Sequence, residues 1–308
     1  MRILTEEEVC NKPDDHLRTV KGFGWAPELP DKRDWGYSEK YLMEQLKTTA
    51  RSAVKDLPVR TILKNVNKYM PVVDQGDLGS CTGNAGSYFF QYVRRVVQRS
   101  RLQLYYEARR KEGTTNEDAG AYIRDIFLVL RELGAGRESW WPYDPSKFAV
   151  DPIDKVDRDA MRRRLLDALS LQNLDNSGDE YRHCLAEGFP FNIGFTVFSG
   201  FMSQRVAQFG IYGYPDLKRE YDVGGHAVCA IGYDWDFQNS EWAKNAVASG
   251  LAPSAVPSKV FIIRNSWGPN WGKGGDVAID ANFLSDLDFA DDAWTGRNVA
   301  SASSGIVQ

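Results

Sequence analysis

Arg264-Asn265-Ser266-Trp267-Gly268, followed closely by Trp271-Gly272-Lys273-Gly274-Gly275, is the most informative stretch of this 308-residue chain. Its glycines and indoles read as an irregular connection, and the apolar runs beside it, 260–264 and 276–280, read as strands. Upstream, 191–197 and 227–233 have the same short apolar character, so the chain from about residue 188 is β-rich. Segment 234–258, polar and rich in Ala, Ser and Pro, reads as a surface insertion. The tail 291–308 reads as flexible.

Helical periodicity governs the part before residue 188. Over 83–99, Tyr88, Phe89, Phe90, Tyr92, Val93, Val96 and Val97 leave almost no polar face, the pattern of a helix buried in the core. Helical spacing recurs over 101–111 and over 121–133, ended by Gly134. It recurs again over 157–171, where Met161, Leu165, Leu166 and Leu169 accompany an arginine run that reads as a solvated face. Helices first and strands second predict an α+β protein in two halves, 57–187 and 188–290. Residues 1–56 form an N-terminal arm. Its 21–36 stretch is extended chain rich in Gly, Pro and aromatics, its 38–53 stretch is a polar helical piece, and neither has the periodicity to close a core.

Three residues carry a chemistry. Cys81 opens the buried helix, where unpaired N–H groups and the macrodipole favour a thiolate, the reactive form of cysteine. His226 begins a strand and is placed to be its proton partner; Asn265 ends another and is placed to hold the far ring nitrogen. This is a Cys-His-Asn arrangement, recognised by its roles. Taken singly, each has a plainer reading as a core residue, and that reading is kept for Cys229; Cys10, His16 and Cys184 read as incidental. With Gln75 six residues before Cys81, the order Gln, Cys, His, Asn and the two Trp-Gly motifs resemble a papain-like (C1 family) cysteine peptidase of the bacterial or viral type, over roughly residues 57–290.

The resemblance implies a papain-like fold: a helical left domain, a β-barrel right domain and the active-site cleft between them. It implies Cys81 as the nucleophile that forms a thioester, His226 as its imidazolium partner and general acid, and Asn265 as the orienter of His226. Gln75 is implied as the side-chain donor of the oxyanion hole and Trp267 as the indole covering the His–Asn hydrogen bond. The implied substrate-binding residues are Asp118, Ala119, Gly120, Ala121, Tyr122, Gly194, Gly224 and Gly225. The pocket for the residue two before the scissile bond is walled by Ala121, Tyr122, Gly194, Gly224 and Gly225. With three glycines and no charge among them, it should be wide and prefer a bulky apolar or aromatic residue. The chain departs from the family in having Thr82 after the nucleophile where Trp is usual, Leu78 where many members have a disulfide cysteine, and Gly225 where Asp or Asn is common. The family's disulfides are therefore expected to be absent.

The balance of 38 basic against 42 acidic residues argues against nucleic acid as a partner. No apolar run reaches the roughly 18 residues of a membrane span, and the N-terminus lacks the pattern of a Sec-type signal. A monomer is expected, cytoplasmic or exported without such a signal, with no cofactor and no metal. The expected function is an endopeptidase acting on polypeptides through an acyl-enzyme. It is held latent by its own arm, anchored through Phe23, Trp25, Leu29 and Trp35, until the arm is displaced or removed near residues 56–59. The alternatives are an exopeptidase, an acyl-transferring relative or an inactive peptide-binding protein.

Overall fold

A computed structural model describes residues 3–11, 23–29, 31, 34, 36–37, 57–96, 98–173 and 175–299. Its helices are α1 (Glu6–Cys10), α2 (Val66–Tyr69), α3 (Cys81–Arg94), α4 (Arg101–Glu112), α5 (Ile123–Glu132), α6 (Asp154–Ala160), α7 (Asp179–Ala186), α8 (Gln204–Phe209), α9 (Glu241–Ala248) and α10 (Ala281–Leu284). Its strands are β1 (Arg60–Ile62), β2 (Leu165–Leu171), β3 (Phe191–Phe198), β4 (Ile211–Tyr212), β5 (Asp222–Asp234), β6 (Val260–Arg264), β7 (Asp276–Asp280) and β8 (Ala290–Val299). They make one sheet in the order β2-β8-β3-β5-β6-β7-β4, with β1 added to the end of β5. No helix among the described residues is long and apolar enough to cross a membrane.

Helix α3 is the axis of the helical half. Every residue from Cys81 to Tyr92 is buried, as its apolar circumference requires. It lies against α4, α5 and β5, and Gly86 lets α5 come so close that a Cβ there would meet Ile126 at 2.3 Å. In the sheet, the antiparallel register that pairs Cys229 of β5 with Arg264 of β6, continued by one residue, brings Asn265 opposite Val228, on the same face of β5 as His226 two residues away. Arg264 is itself buried. Its guanidinium grips Asp276 of β7 through two hydrogen bonds of 2.7 and 2.9 Å and donates to the Met70 carbonyl and to Asn67 Oδ1, so it ties the loop before α3 to the sheet that carries Asn265.

Several expectations need correction. The helical spacing over 157–171 splits into α6 and strand β2, because Leu165, Leu169 and Leu171 fit a strand face as well as a helix face and the sheet offers them the burial. The region expected to be a flexible tail holds β8, inserted between β2 and β3, with Ala293, Trp294 and Thr295 buried. Segment 234–258 is a folded piece around α9, with Phe237, Ala243, Ala246, Leu251 and Val256 buried. His226 lies within β5 and does not begin it. Part of the arm is anchored by core contacts. Leu4 and Val9 of the α1 segment are buried; Leu4 N–H donates to the Met202 carbonyl at 2.8 Å and Ser199 Oγ to the Val9 carbonyl at 2.6 Å. The polar helical piece over 38–53 lies outside the described residues.

Replacing Arg264 by Met leaves the Asp276 carboxylate buried without its partner, a loss of about 3–5 kcal/mol. Thermal unfolding should show Arg264→Met melting roughly 10 °C lower, and Asp276→Asn added to it should recover part of the loss.

Candidate active site

The gap between the N-terminus of α3 and strand β5 brings together residues distant in sequence. Cys81, Gln75, His226 and Asn265 are all completely buried. His226 Nε2 and Asn265 Oδ1 are 2.8 Å apart, and the same oxygen accepts the Ser266 N–H at 2.8 Å, which fixes the amide with its oxygen toward the ring. An acceptor at Nε2 puts the imidazole proton there and leaves Nδ1 as the basic nitrogen. Nδ1 is buried and finds no hydrogen-bond partner among the described residues. The Trp267 indole stacks on the imidazole with centroids 4.7 Å apart and planes 23° from parallel. Gln75 is held by three hydrogen bonds: its N–H donates to the Ser266 carbonyl at 2.8 Å, its Oε1 accepts from Ser266 Oγ at 2.5 Å, and its Nε2 donates to the Leu78 carbonyl at 2.9 Å. Tyr143 Oη fastens the same loop, 2.8 Å from the Gln75 carbonyl and 2.6 Å from Ser80 Oγ.

The arm runs through this gap. Phe23 meets the rings of His226 and Trp267 edge to face, each at 6.2 Å. The Gly24 N–H lies near enough to Cys81 to favour its thiolate, and the Gly24 carbonyl accepts from Ala121 N–H at 2.9 Å. Trp25 N–H donates to the Gly225 carbonyl at 3.2 Å. The Trp25 ring lies so close over Gly194 and Gly225 that a Cβ on either would strike it, at 2.0 and 2.7 Å. Arg124, in the first turn of α5, holds the outgoing segment: its backbone N–H donates to Glu28 Oε1 at 2.5 Å and its guanidinium pairs with Glu28 at 3.0 Å and Asp34 at 2.6 Å.

The covered site has a definite electrostatic state. Burial pushes the Cys81 thiol up to about 11, against the pull of the N–H groups of Ala227, Gly24 and Thr82. Burial also pushes the His226 imidazole down to about 4, and the bond to Asn265 only partly offsets this. Burial thus favours the neutral thiol and the neutral imidazole over the charged pair.

The Papain family cysteine protease model matches residues 59–293. The chain belongs to the papain family of cysteine proteases. An uncharacterised peptidase C1-like protein of Acanthamoeba polyphaga mimivirus is 32% identical over 294 residues, covering 91% of this chain and 88% of that one. The crystal structure of xylellain, a cysteine protease from Xylella fastidiosa, is 30% identical, with a TM-score of 0.68 over 90% of this chain and 97% of its own. A digestive procathepsin L2 proteinase from Tenebrio molitor larval midgut, 17% identical with a TM-score of 0.60 over 93% of this chain, shares the fold.

Among the implied substrate-binding residues of this papain-family chain, Gly120, Ala121, Gly194, Gly224 and Gly225 border the arm. Asp118, itself exposed, accepts from Tyr105 Oη at 2.6 Å and from Gly79 N–H at 3.1 Å, and so braces the cleft wall. Ala119 and Tyr122 are exposed. The five residues expected to wall the pocket carry no charge, but a further residue reaches the Trp25 ring: Asp292 Oδ2 accepts from Trp25 Nε1 at 3.0 Å and from Glu28 N–H at 2.9 Å. No motif marks Asp292, which lies in the stretch read as tail. Ser266 stands inside the quoted motif, and only the fold reveals its grip on Gln75. Leu29, expected to anchor the arm, is 86% exposed and contributes only its carbonyl, to Arg124. Trp35 lies outside the described residues.

With the arm in place, ring carbon NMR shifts of His226 should stay those of a neutral imidazole down to about pH 4. A midpoint near the ordinary histidine value of about 6.5 would contradict the covered site.

Proposed function

We propose that this cysteine protease is an endopeptidase working through a thioester, kept latent by residues 23–29 of its own arm. The observation that carries the reading is the arm's course, past Trp267, over Cys81 and out along Arg124. A chain that passes through the cleft and leaves at both ends is what an endopeptidase must accommodate, whereas an exopeptidase closes one end. The mechanism follows from the residue types. The Cys81 thiolate adds to the scissile carbonyl carbon while the oxyanion is held by the Gln75 amide and the Cys81 N–H. His226, oriented by Asn265, gives its proton to the leaving amine. It then takes one from the water that splits the thioester and restores the thiol.

The arm survives because it offers the sulfur the wrong group. The Gly24 N–H is the arm group that bears on the Cys81 thiol, while the Gly24 carbonyl is held by Ala121. By the family resemblance, the pocket filled by Trp25 takes a residue N-terminal to the scissile bond; Trp25 is C-terminal to Gly24, so the arm runs opposite to a substrate. Tethering keeps its effective concentration in the roughly millimolar range. Residues 3–11 serve a second purpose as a strap, since Leu4 and Val9 are buried.

Three outcomes follow. In the full chain, Trp25→Gly should raise peptide hydrolysis well above the parent with little change in melting, whereas Leu4→Ala should lower the melting temperature without that gain in rate; a rate unchanged by Trp25→Gly would overturn latency. In the Trp25→Gly background, Cys81→Ala should abolish turnover, Gln75→Ala should cost about 10²–10³ in kcat, and Asn265→Ala should cost less than Cys81→Ala. The third outcome concerns pH. Burial, reinforced by the neighbouring Asp292, raises Glu28 to about 8, and burial, with Glu28 N–H and Trp25 acting against it, raises Asp292 to about 7. Asp291 and Asp125 add like charge, and Arg124 opposes it. Groups raised on docking favour the docked arm fully below their ordinary carboxylate values and lose that contribution as pH rises from about 4 through about 7–8. Hydrolysis by the parent chain should therefore climb across that window, and Glu28→Gln should flatten the climb.

A further inference from the structure

The pocket beside Cys81 ends in a carboxylate placed there by a local irregularity in β8. Between β3 and β8, Asn192 pairs with Trp294 and Gly194 with Asp291, so two steps along β3 face three along β8. The extra residue makes a bulge, a device that re-aims a side chain beside a site. Within it Asp292 has φ 56, a left-handed conformation that non-glycine residues seldom adopt. That turn carries its carboxylate to the far edge of the Trp25 ring. The walls along the ring are bare backbone at Gly194 and Gly225. The pocket therefore consists of a wide slot for a flat apolar ring and one acceptor at its end.

We infer that Asp292 is a specificity-determining residue of this peptidase, selecting polypeptides that carry tryptophan two residues before the scissile bond over those with rings or branched chains that lack a far-edge N–H donor. The inference rests on the reading above that the pocket occupied by Trp25 is a substrate pocket. Release of the arm removes both donors that Asp292 now receives, the Trp25 indole and the Glu28 N–H. A substrate indole restores the first. A phenylalanine fills the same slot but covers the half-buried carboxylate without a donor, and an acceptor shielded from water and left unpaired is penalised. Discrimination thus comes chiefly from rejecting the donorless ring, and the apolar walls alone could not separate two aromatic residues.

The test uses the full chain carrying Trp25→Gly, with matched peptides that differ only in Trp, Phe, Leu or Arg at that position. The expected result is kcat/KM for Trp at least about tenfold above Phe and Leu. The Trp-to-Phe ratio should fall toward one in Asp292→Ala and be largely kept in Asp292→Asn, whose amide oxygen still accepts. Phe or Leu equal to Trp, or a ratio untouched by Asp292→Ala, would overturn the inference. So would a profile led by Arg, which would make the carboxylate a bare counter-charge. Should Trp25→Gly cleave none of the peptides nor denatured casein, the peptidase reading fails separately. The same ranking is then read from calorimetric binding of the peptides to the full chain carrying Cys81→Ala and Trp25→Gly, where tighter binding of Phe than Trp overturns the inference by itself.

Discussion

The cleft is one polypeptide backbone wide, and the rest of the site depends on that width. A Cβ on Gly24 would lie 1.7 Å from the Gly79 carbonyl oxygen, and one on Gly120 would lie 2.2 Å from the Gly24 carbonyl oxygen. Side chains are thus kept out of the line over Cys81, and any chain lying there is held by main-chain hydrogen bonds, as Gly24 and Trp25 are by Ala121 and Gly225. A backbone site of this kind is indifferent to sequence except where a pocket opens to the side. It suits a protease acting on many chains, and it equally suits a plug made of the protein's own chain.

The same closeness sets the chemistry. A cysteine and a histidine in contact with water gain from exchanging a proton; sealed under a glycine and two aromatic rings, they do not. The N–H groups at the start of α3 favour the thiolate, but the lost hydration outweighs them. On this account latency has two layers: substrate is excluded, and the nucleophile is held in its unreactive protonation state. One movement of the arm reverses both.

Much of the site could be read from residue types. Nucleophile, base, orienter and oxyanion donor each require a particular side chain, so Cys81, His226, Asn265 and Gln75 stand out in a chain with four cysteines and three histidines. The central helix was legible because it is apolar all round. Strand β8 was not, since its Asp, Thr and Arg look like surface residues and are answered only by partners far away: Asp292 by Trp25, Thr295 by the Pro190 carbonyl at 2.8 Å, and Arg297 by Glu187 at 3.2 Å and the Phe189 ring at 3.5 Å. Strand β2 was misread because leucines four apart satisfy both periods. The carboxylate at the end of the pocket was invisible for a related reason, since its direction depends on a bulge, and a bulge depends on pairing between strands that the local sequence does not specify.

The central claim is that the arm both fills the cleft and keeps Cys81 protonated. Its most direct test is the thiolate ultraviolet absorbance of Cys81 followed against pH, in the full chain and in the full chain carrying Trp25→Gly, with the corresponding Cys81→Ser proteins subtracted. The account predicts that the parent shows the thiolate only as the pH approaches about 11 and that the Trp25→Gly protein shows it at neutral pH. The same midpoint in both proteins, or a thiolate already present in the parent at neutral pH, would contradict it.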